Sequence, residues 1–96
     1  MKDKFILDGH EAKPANTMEW AQWFETADRN VRSTILGEAR VSTVFLGLDH
    51  SFGDGPPLLF ETMIFGGSHD EYQDRCSTWD EAEAMHIRAC NLVIKP

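Results

Sequence analysis

Apolar and polar positions in this 96-residue chain fall into blocks whose spacing changes from one stretch to the next. Residues 41–48 and 58–65, VSTVFLGL and LLFETMIF, are two apolar runs rich in β-branched and aromatic side chains. Their length and composition predict two core strands. Residues 4–8, KFILD, predict a short first strand, and the polar residues 9–16, with Pro14, a loop. From Asn16 the period changes. Trp20, Phe24, Ala27 and Val31 recur at steps of four, three and four, the spacing of one helix face, and Trp23 widens that face. Asn16 with Glu19 three residues on forms a capping box, and Asn30 is the expected left-handed terminator.

Residues 31–36 and 40–48 read as a hairpin around Gly37-Glu38, residues 58–65 as the next strand and residues 72–77 as a short edge strand. Thr78 and Glu81 form a second capping box, and Ala82, Met85, Ala89 and Leu92 or Val93 continue a helical stripe. The expected fold is a single α+β domain over residues 1–96: an antiparallel sheet of about five strands with two helices, order β-α-β-β-β-β-α. Both long strands carry apolar residues on both faces, with Val41 and Phe45 opposed to Val44, Leu46 and Leu48. A sheet covered on one side alternates with polar residues. Two short helices rarely cover both sides of such a sheet, so we expect a homo-oligomer.

Composition narrows the function classes. Sixteen acidic against nine basic residues give a net charge of −7, which argues against direct binding to a nucleic-acid backbone and is compatible with a basic protein partner. No stretch is apolar for long enough to span a membrane, and the start, Met1-Lys2-Asp3-Lys4, does not read as a signal peptide. Two cysteines, Cys76 and Cys90, are too few for a disulfide scaffold, so the expected location is the cytoplasm.

The candidate chemistry centres on residues 49–57. Asp49 or Glu61 could orient His50 as a general base, in which case the protein is a small hydrolase. Ser51 adjoins His50, but neighbours on an extended chain point apart. The ordinary alternative is that Asp49 and His50 bond to the loop backbone, and that Glu61 pairs with Arg32 or Arg40. Gly53, Asp54 and Gly55 allow close backbone approach to a ligand, Pro56 and Pro57 stiffen the exit, and Phe52 sits at the tip. The segment is no phosphate-binding loop, since it lacks the Gly-Lys-Ser/Thr ending. His86 and Cys90 share a helix face and could join Cys76 at a zinc ion, but no zinc spacing is present and a core histidine is the expected role. Trp20 reads as core. Trp79, in the first turn of its helix, is the indole placed to meet a ligand. The expected binding set is therefore Asp49, His50, Phe52, Gly53, Asp54, Gly55, Glu61 and Trp79, with no catalytic residue, metal or cofactor assigned.

The segments VSTVFLGLDHSFGDGPPLLFETMIFGG and RCSTWDEAEAMH, with the Trp-rich first helix, resemble a family of small proteins encoded in bacteriophage and prophage genomes. The likeness runs over roughly residues 18–86, and Cys76 departs from it where an aromatic residue is expected. It transfers no residue's role. It implies a setting, the cytoplasm of an infected or lysogenic bacterium, and an accessory factor acting on host machinery. The expectation is a non-enzymatic binding protein that inhibits or sequesters a host component in antiviral defence, either a basic protein or a small signalling nucleotide. The hydrolase and a minor virion assembly protein are the alternatives.

Overall fold

The computed structural model describes residues 3–95. Its elements are β1 (Phe5–Asp8), β2 (Glu11–Pro14), α1 (Thr17–Thr26), β3 (Asn30–Leu36), β4 (Ala39–Phe45), β5 (Phe60–Phe65), β6 (Gln73–Cys76) and α2 (Trp79–Ile94). The class is α+β, as expected. The single five-stranded sheet is corrected: there are two antiparallel sheets, β1-β2 and β3-β4-β5-β6, and the order is β-β-α-β-β-β-β-α. The stretch read as a polar loop holds the turn Gly9-His10 and all of β2. Strand β2, EAKP, has no buried residue, so it lacks the alternation that marks a half-buried strand. Gly9 makes the tight turn possible at φ 62°, where a side chain would be strained.

Helix α1 starts at the expected Asn16 capping box but ends earlier than its periodicity suggests. The N–H of Ala27 closes the last turn on the Trp23 carbonyl at 3.0 Å. Asn30 therefore opens β3 and does not terminate the helix, and Val31 belongs to the strand. The Trp20 indole N–H donates to the Gly47 carbonyl at 2.9 Å, and Trp23 meets Phe45 edge-on at 5.7 Å. Gly47 has φ 78°, and a Cβ there would lie 2.9 Å from the Phe24 ring. Only glycine lets α1 dock this closely on the end of β4.

Helix α2 lies on one face of the four-stranded sheet. Its Ala82 and Met85 meet one apolar cluster, Phe5, Phe45, Leu59 and Phe60, towards its start, and Ala89 meets another, Ala39, Val41 and Ile64, towards its end. Each large side chain buried here contributes roughly 1.5–3 kcal/mol. Between the clusters runs a polar row, Arg32, Thr43, Thr62 and Asp74, in register across the sheet. His86 descends onto it from α2, 1% exposed. Its Nδ1 is 2.7 Å from the Thr43 hydroxyl and its Nε2 is 2.8 Å from that of Thr34, and Thr43 in turn contacts Thr62. With one ring nitrogen donating and the other accepting, a neutral imidazole satisfies the whole chain. The expected core histidine is thus observed, on hydroxyl partners from β3 and β4, with β5 joined through Thr62.

The two helices leave one face of these strands uncovered. Residues 39, 41, 43 and 45 of β4 are buried against α2, while Arg40, Ser42 and Val44 point to a face with no helix among the described residues against it. Leu46 and Leu48 lie beyond the strand. Among the described residues no helix is long and apolar enough to cross a membrane.

Two outcomes follow from the His86 network. Thr43→Val keeps the side-chain shape but removes a hydroxyl on which both His86 and Thr62 depend. It should lower the unfolding free energy by about 1–3 kcal/mol in urea titrations. Burial, with Arg32 adding a smaller push, holds His86 below its ordinary 6.5. The unfolded chain therefore binds the extra proton first as pH falls. The contribution is complete above pH 6.5 and is lost as pH drops through 6.5 towards the lowered value. Urea midpoints should decline in that window, and His86→Gln should remove its share of the slope.

Candidate functional site

Three segments distant in the chain meet beside the first turn of α2. The β1–β2 hairpin brings His10 and Glu11, the strand entry brings Pro56, Pro57 and Phe60, and the β6–α2 corner brings Trp79 and Asp80. They enclose an open groove of about 560 Å³. Its wall is aromatic. The His10 ring stacks on Trp79 at 3.8 Å and 5°, and Trp79 meets Phe60 edge-on at 6.2 Å. The Trp79 Nε1 is buried and, among the described residues, has no hydrogen-bond partner. Trp79 is set here by the Thr78 cap, which fixes the helix start two turns before His86 anchors it.

The electrostatics of the groove are one-sided. Glu11 and Asp80 line it, and among the described residues no lysine or arginine does, although Lys13 reaches Glu11 from outside the lining at 3.6 Å. The start of α2, where an anion would otherwise be drawn, already holds the protein's own carboxylate. Glu81 Oε1 accepts from the backbone N–H groups of Ser77 and Thr78 at 3.2 and 3.1 Å. A phosphate entering the groove would face these carboxylates. An apolar side chain with a cationic neighbour would find aromatic walls and an acidic rim.

The residues expected from the sequence are distributed over several places. Trp79 lines the groove. Asp49 is a loop clamp: its Oδ1 accepts from the N–H groups of Ser51 at 2.8 Å and Leu58 at 3.0 Å. Hydrogen bonds from Ser51 and Leu58 hold its carboxyl below the ordinary carboxylate value. His50 donates its backbone N–H to the Leu58 carbonyl, and among the described residues its ring makes no hydrogen bond. Phe52 is 99% exposed at the tip, with Gly53, Asp54 and Gly55 exposed beside it. Glu61 lies on the open face of the sheet. Its partner is Arg75 of the neighbouring strand at 2.9 Å, not Arg32, which reaches Glu83, nor Arg40, which covers the Phe65 ring. No hydrogen bond joins His50 to Asp49 or Glu61, so the arrangement presents no carboxylate-oriented imidazole. Burial pushes the Cys76 thiol up to about 11, and among the described residues no three His, Cys, Asp or Glu side chains gather as metal ligands.

Sequence reasoning missed His10, Glu11 and Asp80. The available signal was Asp8-Gly9, a turn dipeptide directly after the first apolar run, which announces a hairpin and so a return strand beside Phe5. No family model, curated protein or solved structure matches the chain.

If Asp49 is a clamp, its removal acts on the loop alone. Asp49→Ala should speed amide hydrogen exchange at Ser51 and Leu58 while leaving exchange in α2 unchanged, as read by NMR.

Proposed function

We propose that this protein is a non-enzymatic binding protein that captures a basic, apolar segment of a host protein and thereby inhibits or sequesters it, as an accessory factor of a phage or prophage. The observation that carries this reading is the groove between the β1–β2 hairpin and the start of α2. It combines the aromatic wall of His10 and Trp79, over the buried Phe60, with the carboxylates of Glu11 and Asp80, and among the described residues no lysine or arginine lines it, although Lys13 pairs with Glu11 at 3.6 Å from outside the lining. The net charge of −7 extends the same preference over the molecule and speeds encounter with a basic partner. The likeness of residues 18–86 to phage and prophage proteins supports the host setting.

A signalling nucleotide is the second reading. A smaller cavity of about 470 Å³ contains Arg75 and Arg88 and shares Pro56 and Ser77 with the groove, so a base against Trp79 could extend phosphates towards these arginines. Glu81 lines that cavity too and opposes the phosphates.

Isothermal titration separates the two readings. Peptides alternating leucine and arginine should bind, with affinity falling as salt rises, while leucine–glutamate peptides and cyclic dinucleotides should not. Trp79→Ala should weaken the arginine peptide by about tenfold or more, and Asp80→Asn together with Glu11→Gln should flatten the salt dependence. Tight nucleotide binding with no peptide binding would favour the second reading instead.

A further inference from the structure

The face of the four-stranded sheet opposite α2 mixes charged and polar positions with exposed apolar ones. Its cross-strand rows follow from the register: Ile35, Arg40 and Phe65 at one end, Ser33, Ser42, Met63 and Gln73 in the middle, Val44, Glu61 and Arg75 at the other end. Ile35 is 74% exposed and Phe65 40% exposed. An antiparallel sheet facing water is normally polar on that side.

The charges on this face are arranged in a particular way. Arg40 lies over the Phe65 ring at 4.7 Å and, among the described residues, makes no ion pair. Glu61 receives Gln73 and Arg75 on Oε2, while its Oε1 accepts nothing among the described residues. Arg40 and Glu61 belong to rows four residues apart, about 13 Å along the strands. The midpoint between them is the row of Ser42 and Met63.

We propose that this face binds a second copy of the chain, face to face, about a two-fold axis that crosses the strands at Met63. Such an axis reverses strand direction. It sets each Arg40–Phe65 row on the Val44–Glu61 row of the other copy and stacks Met63 on its own equivalent. Each free cation then meets the unoccupied Oε1 of the partner's Glu61, twice per dimer, as an isologous interface requires. A two-fold axis along the strands would instead set Arg40 against the partner's Phe65 and leave both charges unmatched. The face spans four strands at about 4.8 Å and six residues at about 3.3 Å, on the order of 400 Å² per copy. That area is at the low end for protein pairs, so the dimer is a micromolar, salt-sensitive one.

Sedimentation velocity over two decades of concentration up to about 500 μM tests this. The wild-type protein should pass from 10.9 kDa to twice that mass. Arg40→Glu and Glu61→Lys should each stay monomeric at tenfold higher concentration, because each sets like charges together. An equimolar mixture of the two variants should form heterodimers, since both contacts are then opposite in sign. Circular dichroism melts establish that each variant is folded, and Phe65→Ser replaces Glu61→Lys as the second disrupting variant if the latter does not fold. A wild-type monomer throughout, a dimer indifferent to Arg40→Glu, or folded variants whose mixture stays monomeric would each overturn the proposal.

Discussion

The attachment of α2 to its sheet depends on one buried histidine. The interface is apolar at both ends and polar in the middle, and His86 bridges the polar part by meeting hydroxyls from β3 and β4, with β5 joined through Thr62. Apolar clusters tolerate sliding, because leucine-like contacts are non-directional. A doubly hydrogen-bonded imidazole does not: a shift of the helix by one residue would leave the ring and the Thr34 hydroxyl unpaired, at a cost of about 1–3 kcal/mol for each group, and leave Thr43 with Thr62 alone. The network therefore fixes the rotation and register of α2. Seven residues earlier on the same face is Trp79, whose position beside His10 and Phe60 follows from that anchoring.

Legibility in the sequence followed locality. Both capping boxes, the α2 stripe and the Gly37-Glu38 hairpin are set by residues within a few positions of one another, and each was readable. The β1–β2 hairpin was not, because β2 is too exposed to show a period. The histidine was readable as a core residue, but its partners were not. Thr34, Thr43 and Thr62 look like ordinary strand residues until the register places two of them side by side and the third one strand over. The groove is the extreme case. It is assembled from residues 5–12, 56–60 and 77–80, and only Trp79 among them belongs to the binding set expected from the sequence, through its place at a helix start. Asp49 and His50 drew notice for the opposite reason: they are close in sequence and chemically suggestive, yet Asp49 only satisfies backbone N–H groups of its own loop.

The acidic balance of the chain acquires a local meaning in the same place. A helix start attracts anions, and an aromatic groove beside one is a natural nucleotide site. Here Glu81 takes the backbone N–H groups of Ser77 and Thr78, and Asp80 and Glu11 line the cavity. The dipole that would have bound phosphate instead stabilises the protein's own carboxylate, so the groove presents negative charge outward. Arg32 pairs with Glu83, Arg75 with Glu61, and Arg40 lies on a phenyl ring, while Arg75 and Arg88 line the neighbouring cavity and not the groove itself.

The two faces of the sheet divide the remaining roles. Helix α2, the hairpin and the groove lie on one side, and the apolar rows with Arg40 and Glu61 on the other. Pairing through the open face would bury none of the groove residues, so a dimer would present two grooves held at a fixed separation. A partner with two basic segments, or one that is itself dimeric, would then bind its second site intramolecularly, at an effective concentration set by geometry and not by the free protein. Weak association of both kinds, through a small sheet face and a groove of modest volume, can combine into tight sequestration without either contact being strong alone.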